Sequence, residues 1–389
     1  MRTTETKTPN LFIWDADALR LAKTRLQGGD EELLPALNQL RLDADTAMKS
    51  EPVTVVSKPK LPPSGDKHDY MSMGPYWWPN PDTVDGLPYI RRDGVINPDS
   101  RLFDLPKLEA LCDQIETLSL AYYYLGSDCY AERAAVLLRT WFLDEGTRVN
   151  PNLNFGQGIP GICSGRGIGI IETWNYCKLV EAVGLLECSP VWSLTDQEGL
   201  QQWFRDFLQW LLSSPYGKEE AKEHNNHGTY YDLQVVQFAL FTEQKELAAQ
   251  WLREHVHGRI QSQIEPNGLQ PHEAGRTLGL SYSVMNLLGF CFLSRMGRLL
   301  ECDIQGYVSE DGRSIEQGMD YLLPYLQSEQ SWPYEQIKPM KAGWGLEILS
   351  VAAMMYQKAS YLSAVRELKL GDLSSRINLV YPLHTFQLQ

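Results

Sequence analysis

From residue 104 onward the apolar residues recur at helical intervals, and this periodicity constrains the fold more than any other feature of the chain. It predicts a helix pair over 105–126 and 130–143, long helices over 166–186 and 196–212, and a second pair over 229–241 and 243–257. Further helices are predicted over 278–300, 314–326, 343–357 and 360–369. Upstream, Leu19, Leu26, Leu33, Leu37 and Leu40 keep the same period, and the proline-rich stretch 51–63 reads as extended. A beat of helix, loop and helix without a strict sequence repeat predicts an all-α fold, an (α/α) toroid or barrel of helical hairpins. Its inner helices would be apolar on both sides and its outer ones amphipathic. A helical solenoid competes, but Asn- and Trp-rich loops of unequal length fit a toroid better. The whole of 1–389 is expected to form a single catalytic domain, although length alone would allow two or three.

One long segment, 64–101, escapes the helical period. Loops of this length in a compact domain are usually functional or disordered. Leaving Tyr70, Tyr76, Trp77, Trp78 and Tyr89 in water would be costly, so the segment is expected to be an ordered lid over a cleft. It would offer these aromatics, with His68, Arg91 and Arg92, to a ligand.

Composition narrows the partners. A formal net charge of −14 argues against a general nucleic-acid binder, and an acidic substrate would need a locally basic cleft. The 7 cysteines are odd in number and have no CxxC spacing, so buried free thiols and no disulfide framework are expected. No spacing points to a metal site, and no cofactor is expected. No run of 18 apolar residues exists, so no membrane span is expected. Met1–Lys7 lacks an apolar signal core, which predicts a cytoplasmic protein, with secretion by a signal outside this chain as the alternative. Oligomeric state is left open.

Chemistry concentrates in three strings. Glu223-His224-Asn225-Asn226-His227-Gly228-Thr229 precedes an apolar run and reads as the start of a buried helix. Free N–H groups and the positive end of the helix dipole make such a start receptive to an anion. Asn amides can donate to a carboxylate there, and a neutral His can accept a proton. The amide- and glycine-rich 150–161, holding Asn154 and Gln157, leads to Arg166 ahead of another buried helix; it lacks the spacing of a dinucleotide fingerprint. His272-Glu273-Ala274-Gly275-Arg276 precedes Tyr282 by six positions from Arg276. An Arg beside Tyr282 is expected to stabilise the phenolate and lower its pKa. A fourth string, Ser331-Trp332-Pro333-Tyr334, has ring-stacking potential.

Amide, imidazole, guanidinium and phenol are the groups that β-elimination on a polyuronate requires. The proton at C5 lies alpha to a carboxylate and is not acidic until that charge is neutralised. A base must then remove the proton while an acid protonates the leaving oxygen at C4. Hydrolysis would instead use paired carboxylates, for which Glu223, Asp232 and Glu273 are candidates.

His68-Asp69-Tyr70, Gly74-Pro75-Tyr76-Trp77-Trp78-Pro79-Asn80-Pro81, Asn225-Asn226-His227-Gly228-Thr229, Arg276-Thr277 and Ser281-Tyr282-Ser283 together resemble the alginate-lyase-domain polysaccharide lyases. These are α/α-barrel enzymes that include mannuronate-specific alginate lyases and glucuronan lyases, and the chain looks closest to the glucuronan type. The resemblance covers roughly 50–360. It implies that Asn226 neutralises the carboxylate, that His227 is base or neutraliser, that Tyr282 is the acid, with Tyr282 as base too the alternative to His227, and that Arg276 steadies Tyr282 or the carboxylate. It further implies a substrate-binding set of His68, Tyr70, Trp77, Trp78, Asn154, Gln157, Arg166, Asn225, Tyr231 and Glu273. The partner would be an acidic polysaccharide or oligouronate, with no metal. A glycoside hydrolase on the same toroid and a non-catalytic carbohydrate-binding protein are the alternatives.

Overall fold

The computed structural model describes residues 8–382. Met1–Lys7, on which the expectation about location rests, lies outside them. Two helices open the chain, α1 (Ala16–Gln27) and α2 (Leu34–Ala47). After the 64–101 segment come α3 (Leu105–Leu125), α4 (Asp128–Leu138), α5 (Asn175–Leu186), α6 (Leu194–Ser213), α7 (Pro215–Glu220) and α8 (Asn226–Phe241). Then follow α9 (Lys245–Trp251), α10 (His257–Gln263), α11 (Pro271–Ala274), α12 (Gly279–Leu299) and α13 (Ile315–Leu326). The described part ends with α14 (Ala342–Tyr356), α15 (Ala359–Gly371) and α16 (Ile377–Val380).

The helices form two layers of an all-α toroid. Inside, α3, α5, α8, α12 and α14 pack each on the next in that order. Outside, α2 and α4 lie on α3, α6 and α9 on α8, α13 on α12 and α14, and α15 on α14. The short α16 touches α14, α2 and α1. The layers follow from the apolar pattern. In α8, 15 residues are buried and only His227 is not. Outer α6 buries Leu200, Trp203, Phe204, Phe207, Leu208 and Leu211, a single stripe at helical spacing. Trp203, Phe204 and Phe207 meet Phe142, Tyr176 and Phe238 in edge and tilted ring contacts. Each such buried ring contributes roughly 2–3 kcal/mol of apolar transfer.

Three helical expectations are corrected. The stretch expected over 130–143 is α4 followed by a π-helical turn, Arg139–Leu143. The stretch expected as one helix over 166–186 splits into a tight 3-10 segment, Gly167–Trp174, and α5. Here the chain packs backbone on backbone: a Cβ on Gly169 would lie 2.5 Å from the carbonyl carbon of Gly156. Only glycines tolerate that approach, and a regular helix does not provide it. The stretch expected over 243–257 is α9, a π-helical turn Leu252–Val256, and α10.

The 64–101 segment is ordered by short strands. β1 (Met71–Met73) pairs in parallel with β4 (Phe155–Gly158), and β2 (Trp77–Trp78) pairs antiparallel with β3 (Ile90–Arg91). This ties the aromatic segment to the glycine-rich loop ahead of α5. Cys112, Cys177, Cys291 and Cys302 are buried thiols, whereas Cys129 is exposed against expectation. No helix among the described residues is long and apolar enough to cross a membrane.

The N-terminal strand-like turn before α1 is held by one buried carboxylate. Glu181 of α5 accepts from the backbone N–H of Phe12 and Trp14, at 3.1 and 3.0 Å, and from Gln237 Nε2 at 2.7 Å. Removing it strands those donors in the core. Glu181→Ala is therefore expected to lower the unfolding free energy by about 3 kcal/mol, read from denaturant unfolding; a loss under about 1 kcal/mol would show that the anchor is replaceable.

Candidate active site

Every inner helix begins at the same rim. Glu109 of α3, Asn175 of α5, Asn226 and His227 of α8, Tyr282 of α12 and Trp344 of α14 all line one cleft of about 530 Å³ near the N-terminal ends of their helices. Partial positive charge from the helix starts therefore gathers around it. Arg91, Arg166 and Arg276 line the same cleft beside the carboxyls of Glu109, Glu172 and Glu223, so guanidinium groups stand ready for an anion in a protein of formal charge −14.

The start of α8 is built from three side chains. Asn225 is the N-cap, and its Oδ1 accepts from His227 N at 3.1 Å. Glu273 reaches from α11: Oε1 accepts from Asn226 N at 2.5 Å and Oε2 from Asn226 Nδ2 at 2.7 Å. His227 Nδ1 lies 2.7 Å from Glu220 Oε1 at the end of α7. A proton on Nδ1 directed at that carboxylate leaves Nε2 with its lone pair, free of protein hydrogen bonds among those described. Burial raises the Glu220 carboxyl, and the charge and hydrogen bond of His227 oppose that rise.

The start of α12 carries the phenol. Tyr282 Oη lies 2.6 Å from Tyr76 Oη of the lid segment. Arg276 stacks over the Tyr282 ring, its guanidinium carbon 4.1 Å from the centroid, while both oxygens of Asp93 grip the guanidinium at 3.0 and 2.9 Å. The expected fall in the Tyr282 pKa is corrected. Burial raises it well above the ordinary tyrosine value, with the Tyr76 hydroxyl adding to the rise and Arg276 only partly opposing it. Tyr282 is thus held as a neutral phenol, a donor. Asp93, by contrast, is held far below the usual carboxylate range by Arg276 and Arg91 against the opposing effect of burial.

The cleft also gathers Trp77, Gln157, Arg166 and Asn225 from the sequence-derived set. Arg166 donates from Nη2 to Gln157 Oε1 at 2.7 Å and lies 5.8 Å from the Trp77 ring centroid. Six others do not line it. Tyr70 is buried with its hydroxyl on Glu172, and Tyr231 is buried with its hydroxyl on Leu211 O. Glu273 sits behind Asn226, not before it. His68 Nδ1 is bound to Arg148 O, Trp78 Nε1 donates to Val95 O, and Asn154 Oδ1 accepts from Trp210 Nε1. Asp232, a candidate for hydrolysis, is fully buried and paired with Arg259. No group of three His, Cys, Asp or Glu side chains among the described residues is placed to hold a metal ion.

The family model for alginate lyase matches residues 54–332. The crystal structure of an alginate lyase from Bacteroides ovatus is 38% identical, with a TM-score of 0.91, over 98% of this chain and 100% of that one. The chain belongs to the alginate lyase family. It is a polysaccharide lyase. Alginate lyase A1-III from Sphingomonas species A1 shares the fold at 16% identity and a TM-score of 0.60, over 95% of this chain and 97% of that one. A variant of A1-III complexed with a tetrasaccharide gives 0.63 at the same identity, over 97% of each chain. No curated protein matches significantly.

Several cleft residues of this lyase escaped the sequence-derived set. Tyr76 stood in the aromatic string with nothing to mark its hydroxyl. His224 and His272 also line the cleft, with ring centroids 4.5 Å apart, although they come from different strings. Glu220 and Glu172 had no local signal; each works through a partner brought to it by the fold. Glu172 Oε2 accepts from Tyr70 Oη at 2.8 Å and Ser72 Oγ at 2.6 Å, and burial raises its carboxyl to about 7 in spite of those bonds.

A carboxyl raised on folding binds its proton more tightly in the native state. The stability it contributes is full below its unfolded pKa of about 4.5 and is lost as pH rises through about 7. For Glu172 the loss amounts to about 3 kcal/mol. Glu172→Gln should remove that part of the slope, as denaturant unfolding across the same pH range would register; an unchanged slope would mean that Glu172 stays ionised.

Proposed function

We propose that this lyase cleaves a β-1,4-linked polyuronate, glucuronan or mannuronan/alginate, by β-elimination. The observation that carries the reading is the neutral phenol of Tyr282, hydrogen-bonded to Tyr76 and stacked under Arg276, in one cleft with His227 and Asn226. The 38% identity to an enzyme described as an alginate lyase supports the substrate class. Asn226 and the cationic rim neutralise the uronate carboxylate and stabilise the enolate-like transition state. His227, oriented by Glu220, takes the C5 proton on Nε2, and Tyr282 delivers its proton to the C4 oxygen as that bond breaks. Substrate must displace the Tyr76–Tyr282 hydrogen bond, so that the proton donor is released where the leaving oxygen arrives. Hydrolysis is not supported, because Asp232 and Glu273 are buried behind the cleft and leave Glu223 alone of the three candidates to line it, where the reaction needs a pair.

Incubation with glucuronan, alginate and polymannuronate, followed by ultraviolet absorbance, tests the reaction. An unsaturated product is expected from at least one uronan; reducing ends without that chromophore would overturn it. Tyr282→Phe is expected to lower turnover by about 10² to 10⁴ while leaving KM nearly unchanged. Asn226→Ala should cost about 10² to 10³. His227→Ala should match Tyr282→Phe. If it costs only as much as Asn226→Ala, Tyr282 is both base and acid.

A further inference from the structure

Asn226 has a polar atom without a partner. Its backbone N–H and its Nδ2 are both directed at Glu273, yet its Oδ1 is buried and accepts nothing. The residue is 1% exposed and lines the cleft. In this orientation the side chain turns its donor toward a protein carboxyl and leaves an acceptor over. An acceptor cannot neutralise a uronate carboxylate; it repels one.

A half-turn of the amide exchanges Oδ1 and Nδ2 with almost no change in shape. Glu273 Oε1 can continue to accept from Asn226 N, since that bond does not involve the amide. Oε2 would then face Oδ1, and two acceptors meet only if one carries a proton. We infer that Glu273 acts as a carboxylic acid, donating from Oε2 to Asn226 Oδ1 and so presenting both N–H groups of the Asn226 amide to the cleft. Glu273 is then a positioning residue for Asn226. The inference rests on the reading of Asn226 as the group that neutralises the uronate.

The surroundings favour the proton. Glu273 is 1% exposed, and burial raises its carboxyl to about 7 against the lowering effect of its bonds from Asn226 and of the Arg276 and His227 charges. The charged and titratable groups that face it are Arg276 ahead of α12, and His227 and Tyr230 of α8. Arg276 is already engaged by Asp93, His227 by Glu220, and the Tyr230 hydroxyl donates to Met285 O. None of them makes a hydrogen bond that would hold Glu273 as an anion. As pH rises through about 7 the proton is lost, the amide turns back to donate to the carboxylate, and the cleft gains an acceptor and a negative charge behind it. Activity should fall accordingly.

Glu273→Gln fixes the active arrangement at every pH: its amide nitrogen donates to Asn226 Oδ1 and its oxygen accepts from Asn226 N. The turnover ratio of Glu273→Gln to the parent enzyme should rise about tenfold or more from about pH 6 to about pH 8.5, because groups shared by both cancel. Glu273→Ala should lose about 10² to 10³, like Asn226→Ala, and Gln at the same position should restore most of that loss. A flat or falling ratio would overturn the inference. Infrared difference spectra between the parent and Glu273→Gln decide the protonation directly, without substrate. A protonated carboxyl band at about pH 6 that fades through about pH 7 is expected; a carboxylate band alone at about pH 6 would refute it. Because that measurement needs no turnover, failure to cleave any uronan would count against the proposed reaction and leave the spectra to judge Glu273.

Discussion

The inner helices run so that α3, α5, α8, α12 and α14 all bring their N-terminal ends to one rim, and the chemistry of this lyase depends on that alignment. A helix start has N–H groups without intrahelical partners and a partial positive charge. Five such starts around one cleft create a site for anions in a protein whose surface charge is strongly negative. Side chains then refine a field that the backbone has already set. This is why so few of them need to be cationic, and why amides and a phenol can line the cleft beside them.

The arrangement brings a problem that the structure solves with buried carboxyls. Groups at a helix start must be held against the pull of solvent and of the orphan N–H groups. Glu273 caps α8 and holds Asn226, Glu220 holds His227, and Glu172 ties Tyr70 and Ser72 under the lid. None of the three is exposed, and burial raises each. Beside Arg276, Asp93 is partly buried yet stays anionic, because Arg276 and Arg91 pair with it. The site thus separates carboxyls in which burial outweighs the opposing bonds and charges from one in which guanidinium pairing outweighs burial.

The sequence made the toroid legible because its inner helices carry apolar residues on more than one face, and α8, buried at every position but His227, is the extreme case of burial. The start of α8 was legible too, since Asn225 caps by a local rule and an apolar run follows. Arg276 and Tyr282 lie close enough along the chain for their stacking to be anticipated. The pKa of Tyr282 was not, because burial is a property of packing and it outweighs the neighbouring charge. Tyr70 and Tyr231 looked like ligand-facing aromatics only because nothing local reveals that Glu172, 102 residues away, or Leu211 O receives their hydroxyls. The link from Glu220 to His227 depends on the turn that folds α7 back, and the Tyr76–Tyr282 contact joins positions 206 apart. Long-range partners of this kind leave no periodic trace.

The buried anchor Glu181 has a consequence that reaches beyond the N-terminal turn it holds. Burial raises it to about 7, as it does Glu172 and Glu273. The formal charge of −14 treats all three as ionised. Near pH 6 the folded protein therefore carries fewer negative charges than its unfolded chain. Its isoelectric point lies above the value that composition alone implies. Unfolding at that pH must release protons from these carboxyls to the solvent, so the heat of unfolding will contain the ionisation heat of whatever buffer accepts them.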